Sequence, residues 1–395
     1  MRTVGVICEY NPFHLGHAGQ LEKTRKALGE DITIVGVMSG NFVQRGDYAI
    51  FNKHARAQMA VSCGVDLVLE LPAPFALSSA RGFAQAGVYI LDSIGLCDFI
   101  SFGTESGDIS LLKEAAELIV SEDAEVLIKE WLGKGLSYAS AQQKAADAVM
   151  GARSEVFRTP NNLLGIEYIK AITELGSSVL PVAVKRTGGA HDSDDGYSAS
   201  RVRKMLFSGE MPWNLVPKAA AALCLKEIEV GRGPVSFKMC ELAILSRLRT
   251  IKDFSLLPDA SEGLDRRFGK YVSSEPTVGA ILESVKTKRY VMSRLRRMLM
   301  CACLGITAED TAKPPPYARV LAMNRVGMKL LASARKTTKI PIITKPASVQ
   351  KLSGRACELF NKEAAATDFY TLGYQNEMFR SGGQEWRQTP VIIEN

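Results

Sequence analysis

Short apolar runs rich in β-branched residues alternate with stretches of helical spacing through the N-terminal half of the chain. The first run, Thr3-Val4-Gly5-Val6-Ile7, reads as a buried strand. Similar runs occur at Asp31–Met38, Asp66–Pro72, Asp98–Gly103 and Val182–Arg186. Between them, Ala18–Leu28 carries Leu21 and Leu28 on one helical face, and Phe51–Cys63 and Ser78–Leu91 are also helical in pattern. Ser78 or Ser79 is placed to cap the last of these. Residues 108–150 read as wholly helical. Strands alternating with such helices predict an α/β domain with a parallel sheet and right-handed crossovers.

Beyond residue 210 strand-like runs nearly vanish. Lys218–Val230, Val235–Leu248, Leu264–Val272, Val278–Lys286 and Ser293–Leu304 read as helices, and Gly231-Arg232-Gly233-Pro234 separates the first two. Pro314-Pro315-Pro316 marks a linker. Arg319–Asn324 and Ile340–Ile343 are candidate short strands around a helix at Gly327–Lys336, and Ala347–Tyr370 is helical. The tail from Gly382 to Asn395 is polar and expected to be partly disordered. The expected division is an α/β domain over 1–208 and a mostly helical region over 209–395.

Composition narrows the class. A chain of 395 residues exceeds one ordinary core, which agrees with two domains. Its 46% hydrophobic and 23% charged residues are those of a soluble globular protein. No run approaches the roughly 20 apolar residues of a membrane span. Met1-Arg2-Thr3 leads straight into a strand, without a signal segment. The eight cysteines are scattered and form no Cys-x-x-Cys, so they read as reduced thiols of a cytoplasmic protein. A net charge of +7 is mild and permits an acidic partner such as nucleic acid or nucleotide.

The candidate chemistry starts at the first turn, Cys8-Glu9-Tyr10-Asn11-Pro12-Phe13-His14-Leu15-Gly16-His17. A strand, a tight turn and a helix N-terminus present free N–H groups and partial positive charge, which attract phosphate. Pro12 has no N–H to lose there, and Gly16 lets a ligand approach the backbone. His14 and His17 flank that point and can donate to phosphate oxygens. Closely spaced histidines can also bind zinc, but no neighbouring Cys or carboxylate set completes a zinc spacing.

Further segments carry polar groups to strand ends or helix starts. Ser39–Asp47 follows the second strand, and its Gln44 and Arg45 either face an anion or belong to an ordinary surface loop. Gly103 follows another strand, as a simple turn or as a place of close approach to a nucleotide. Asn161 and Asn162 open a helix, where one can cap and the other read adenine. Lys185 and Arg186 end the last strand, and Thr187–Gly196 forms a loop holding His191. Ser198 and Ser200 then start a helix with Arg201 and Arg203 in its first turn. Cations there oppose the macrodipole, so a bound anion explains them better than local stability does. Finally, Lys286, Lys288, Arg289, Arg294, Arg296 and Arg297 cluster around Tyr290, as a nucleic-acid footprint or as a solvated helix face.

The segment Glu9–His17 resembles the HIGH-type motif of the nucleotidyltransferase superfamily, and Ser198-x-Ser200 with its arginines resembles that superfamily's Ser-x-Ser-x-x-Arg phosphate motif. With Ser39-Gly40-x-Phe42-x-Gln44-Arg45-Gly46 and Pro160-Asn161-Asn162, most of the chain is similar to the bacterial tRNA(Met) cytidine acetate ligase family. The resemblance implies a Rossmann-like nucleotidyltransferase domain that makes acetyl-adenylate from acetate and ATP. The acetyl group would then pass to N4 of the wobble cytidine of elongator tRNA(Met). It implies His14 and His17 as catalytic residues. It places ATP against Ile7, Cys8, Glu9, Tyr10, Asn11, Pro12, Phe13, His14, Gly16, His17, Gln20, Gly103, Asn161, Asn162, Arg186, Ser198, Ser200 and Arg201. Gln44 and Arg45 would meet acetate or phosphate, and Lys286, Lys288, Arg289, Arg294 and Arg297 would meet RNA. Magnesium would accompany the triphosphate, although no carboxylate cluster declares its ligands. Two other readings remain in view: a small-molecule nucleotidyltransferase acting on a phosphorylated cofactor precursor, and a non-catalytic RNA-binding protein with a relic nucleotide site. The size and basic helical half disfavour the first, and intact His14, His17, Ser200 and Arg201 disfavour the second.

Overall fold

The computed structural model describes residues 2–136, 138–186 and 197–394; the expected loop with His191 lies outside them. The strands are β1 (Thr3–Cys8), β2 (Thr33–Ser39), β3 (Phe42–Val43), β4 (Asp47–Tyr48), β5 (Leu67–Leu71), β6 (Phe99–Thr104), β7 (Leu180–Lys185), β8 (Ala318–Asn324), β9 (Ile342–Ile343) and β10 (Val391–Ile393). Five of them run parallel in the order β5-β2-β1-β6-β7, a Rossmann-like arrangement. Helices cover both faces, so side chains from either face of a strand are buried: Val4, Val6, Ile34, Val35, Leu67 and Val68 are each at most 1% exposed.

The segment beyond residue 209 is mostly helical and also adds to this sheet. β8 pairs antiparallel with β5, and β9 and β10 pair parallel with β8. The tail expected to be disordered is therefore ordered through Glu394. Two local features hold it. Val391, Ile392 and Ile393 complete the outer edge of the sheet against Ala322–Asn324, and the short helix Gln384–Arg387 buries Glu385 among cations. The remaining C-terminal helices build their own core from Ile244, Leu248, Phe268, Ile281, Leu295 and Met298.

Residues 108–150 fold as three helices, Ile109–Ile119, Glu122–Gly133 and Tyr138–Met150. The breaks are chemical. The Ser121 hydroxyl accepts from the Ala124 N–H and starts the second helix, and Gly135 takes φ 84° after its end.

Helix Lys53–Ser62 points its cations inward. Lys53 Nζ lies 2.5 Å from Glu70, 3.0 Å from Glu363 and 2.8 Å from Glu385. Arg319 on β8 lies 2.6 Å from Glu385. All five side chains are at most 2% exposed. They come from five separate elements, so this ionic cluster ties the C-terminal segment to the sheet.

Candidate active site

β1 ends at Cys8, and the chain turns sharply before the helix Leu15–Leu28. Tyr10 takes φ 44°, a left-handed conformation that costs an L residue about 1–2 kcal/mol. Packing holds it there: the Tyr10 ring lies 4.8 Å from Phe13 and 4.9 Å from His17, centroid to centroid. Asn11 Oδ1 accepts from the Ile50 N–H at 2.7 Å, so this side chain braces the turn from below. Ile7, Tyr10 and Phe13 are likewise buried in the core, and what they offer a ligand is backbone.

His14 is the N-cap residue, and with His17 it closes a capping box. His14 Nδ1 accepts from the Gly16 N–H at 3.0 Å, and His17 Nδ1 accepts from the His14 N–H at 3.3 Å. An Nδ1 that accepts leaves the ring proton on Nε2. The rings sit side by side, centroids 3.8 Å apart. Burial, then the charges of Arg186 and Arg203, pushes His14 down to about 3. Burial, then His14 and Arg186, holds His17 well below its ordinary value. The pair is therefore neutral near pH 7 and presents two fixed Nε2–H donors.

This neutrality has a consequence for stability. His54, whose ring is buried, is also pushed down by burial, to about 3. An unfolded histidine takes a proton below about pH 6.5, whereas these three stay neutral when folded. Their contribution is complete above that pH and declines as pH falls toward the folded values. Each should cost about 1.4 kcal/mol between pH 7.5 and 5.5. Urea midpoints measured at the two pH values should drop accordingly; equal midpoints would mean that the rings protonate in the native state.

The second phosphate motif faces the first turn. Ser198 caps helix Ala199–Ser208 by accepting from the Arg201 N–H at 3.2 Å. Arg203 donates to the Asn11 carbonyl at 2.8 Å and to the Ser200 hydroxyl at 3.3 Å. The Tyr197 carbonyl lies 3.3 Å from where a Cβ on Gly16 would stand, so a side chain there would collide with both motifs. Arg203 is the cation that joins them, yet the expected site contains only Arg201. The spacing Ser-x-Ser-x-x-Arg, counted from Ser198, ends on Arg203.

A small cleft opens beside these motifs, between helix Leu15–Leu28 and the ends of β6 and β7. Gly16, Gln20, Lys23, Gly103, Val184, Lys185 and Arg186 line it. It brings together four of the expected ATP contacts, and the Arg186 stem lies 3.1 Å from where a Cβ on Gly103 would stand. What approaches Gly103 closely is thus the chain's own Arg186 and Gln20. A second, larger cleft lies at the ionic cluster, lined by Asn52, His54, Arg232, Glu385 and others.

Asn161 and Asn162 meet a different partner. Asn161 Nδ2 donates to Glu105 at 2.6 Å, and Asn162 Oδ1 accepts from the Glu105 and Ser106 N–H groups at 3.1 Å. Glu105 in turn accepts from the Asn162 N–H at 3.0 Å. Neither amide is the N-cap, which is Thr159. Together they fasten the loop after β6 to helix Pro160–Glu174.

The loop after β2 is fixed to the first turn by Glu9, which accepts from the Gln44 N–H at 2.7 Å. Arg56, fully buried, donates to the carbonyls of Glu9, Ser39, Gly40 and Phe51. Sequence pattern gives no hint of this, because the partners are backbone atoms. The Gly46 turn packs on the backbone of Arg296 and Arg297, in helix Met292–Leu304.

Within the basic cluster, Lys286, Lys288 and Arg289 are exposed. Arg294 instead donates to the Asp259 carbonyl at 2.8 Å and the Ser261 hydroxyl at 3.0 Å, and Arg297 pairs with Asp259 at 3.2 Å. Arg289 and Arg294 share Glu262, at 2.9 and 3.1 Å. These contacts order the loop at 259–262 beside the exposed cations. Among the described residues, no group of three or more His, Cys, Asp or Glu could hold a metal ion, and no helix is long and apolar enough to cross a membrane.

The chain is similar to known proteins over its whole length. A family described as HIGH Nucleotidyl Transferase matches residues 1–385. A protein of Acetivibrio thermocellus named tRNA(Met) cytidine acetate ligase is 36% identical over the full length of both chains. One of Caldanaerobacter subterraneus subsp. tengcongensis with the same name is 38% identical over 95% of this chain and 96% of its own. The crystal structure of Thermotoga maritima TmcAL bound with alpha-thio ATP superposes with a TM-score of 0.92 at 31% identity, covering all of both chains.

Proposed function

The chain belongs to the tRNA(Met) cytidine acetate ligase family of HIGH nucleotidyl transferases, and on that premise we propose that it acetylates N4 of the wobble cytidine of elongator tRNA(Met), using acetate and ATP. The observation that carries the reading is the pair of neutral histidines whose Nε2–H groups sit together at a helix N-terminus, opposite a second phosphate motif.

ATP lies across the carboxyl ends of the parallel strands, where open α/β sheets take ligands. Arg186, Ser198, Ser200 and Arg201 hold the β- and γ-phosphates, and Arg203 keeps that helix against the first turn. An acetate oxygen attacks the α-phosphorus in line, and pyrophosphate leaves. His14 and His17 donate to the α-phosphate oxygens as charge develops. Fixed donors at developing charge are a principal source of rate enhancement in phosphoryl chemistry. Gln44 and Arg45 stand on the loop that Glu9 fastens to this turn, and we assign them to the acetate or phosphate side. Magnesium would accompany ATP and would neutralise charge on the triphosphate.

The second step requires that the RNA amine reach the mixed anhydride. We place ATP chemistry in residues 1–208 and RNA contact in 209–395, chiefly on exposed Lys286, Lys288 and Arg289, with Arg294 and Arg297 shaping that surface. A chain acting on tRNA with ATP works in the cytoplasm. The test is to incubate the protein with unmodified tRNA, ATP and acetate, then digest the RNA and analyse its nucleosides by mass spectrometry. N4-acetylcytidine should appear only when all four components are present. Its absence, with the tRNA intact and folded, would refute the assignment.

A further inference from the structure

The proposed second step needs a proton acceptor, because an exocyclic amine that becomes an amide must lose a proton. We propose that Asp47 is that acceptor, taking a hydrogen bond from the cytosine amine and then its proton. The inference rests on the ligase reading and extends it to a residue for the transfer step.

Position is the first argument. Asp47 opens β4, the second strand of the ribbon formed with β3, and pairs with Val43 across it. The turn of that ribbon, Gly46, has φ 73° and no room for a Cβ, which would stand 2.3 Å from the Arg297 nitrogen and 2.4 Å from the Arg296 carbonyl carbon. The ribbon is thereby seated on helix Met292–Leu304 of the basic region. Arg203 is the cation bonded to the first turn through Asn11. The Asp47 carboxyl is within electrostatic reach of both Arg203 and Arg296. It therefore lies at the seam between the two phosphate motifs and the helix beside the exposed cations.

Chemistry is the second argument. Aspartate and glutamate are the side chains that accept from cytosine N4, whereas a uracil O4 offers them no proton. The Asp47 carboxylate accepts from the Tyr48 N–H at 2.8 Å. A carboxylate has about four lone-pair sites, so that bond is compatible with accepting from a substrate amine as well. The neighbouring carboxylate of Glu9 is engaged in holding Gln44. Burial raises the Asp47 carboxyl above the usual carboxylate range, against the opposing pull of the Tyr48 N–H, Arg296 and Arg203. Such a shift makes a carboxylate a better base.

The step balances. The amine nitrogen forms a bond to the acetyl carbon of the adenylate, the bond from that carbon to the phosphate oxygen breaks, and AMP leaves. The amine proton passes to Asp47 and then to water. No electrons are exchanged with another reactant.

The test compares the two half-reactions in one protein. Acetate-dependent ATP–pyrophosphate exchange reports adenylate formation and an intact fold, and a single-turnover chase with tRNA reports transfer. Asp47→Asn should slow transfer by about 100-fold or more relative to its own exchange rate, within the range of lost general-base catalysis. Asp47→Glu, which restores a carboxylate, should recover transfer to within about tenfold of the wild-type rate. Transfer by Asp47→Asn in the wild-type ratio, or a parallel fall of both half-reactions in both variants, would overturn the proposal. Failure of the wild-type protein to exchange pyrophosphate with acetate would instead remove the ligase reading beneath it, and the proposal with it.

Discussion

Alanine in place of His14 or His17 should slow acyl-adenylate formation by about 10²–10³-fold, the loss typical of one removed transition-state donor. Both Nδ1 atoms are already committed to backbone N–H groups, so each ring has one proton to offer, on Nε2. Both rings are held neutral, so no protonated imidazole substitutes for a missing neighbour. The double variant should lose less than the product of the single losses, because the two rings act on one phosphate as a unit. His14→Ala also removes an N-cap, at about 1 kcal/mol of stability. A melting curve separates that cost from the chemistry, since His17→Ala leaves the cap acceptor in place. Acetate-dependent pyrophosphate exchange is the readout; near-normal exchange in either variant would move the reacting phosphate elsewhere.

Lys53→Met should destabilise the protein by about 3–5 kcal/mol, the cost of leaving a buried charge without its partner. Lys53 lies within 3.0 Å of Glu70, Glu363 and Glu385, and Arg319 alone would remain to face three carboxylates. Burial and the charge of Glu363 already push Glu70 up to about 8, while Lys53 and Arg319 outweigh burial at Glu385 and take it down to about 2. Adding Glu70→Gln to Lys53→Met should recover part of the loss, because it fixes in the neutral form a carboxyl that burial already pushes toward protonation. Denaturant unfolding of the single and double variants measures both effects. A Lys53→Met protein as stable as the wild type would mean that water or a rearranged Arg319 replaces the ammonium.

These residues also mark what sequence makes legible. The five parallel strands and the first turn are local patterns: β-branched runs, a proline, a glycine and paired histidines within a few positions of each other. They lie where the sequence places them. Phe51–Cys63 reads as a helix, but its pattern does not show that Lys53 is buried, because one carboxylate that holds it, Glu363, is 310 residues away. The tail reads as disordered because β10 gains its partner only when β8 has been set against β5. Asn161 and Asn162 read as one cap and one adenine contact because amides at a helix start suit both roles; the bonds that tie them to Glu105 join segments 56 residues apart and have no local signature. Arg203 was available in the motif spacing itself; Arg56 was not, since a cation serving four carbonyls has no sequence signature.

The central claim is attack of a carboxylate oxygen on the α-phosphorus of ATP. Acetate labelled with ¹⁸O on both oxygens, supplied with ATP and tRNA, tests it directly by mass spectrometry of the products. In the proposed route one acetate oxygen bridges to phosphorus and stays there when the acetyl group moves to the amine. AMP should therefore carry one ¹⁸O for each acetyl group transferred, and pyrophosphate none. Label in pyrophosphate or inorganic phosphate, or acetylated RNA formed with unlabelled AMP, would contradict it.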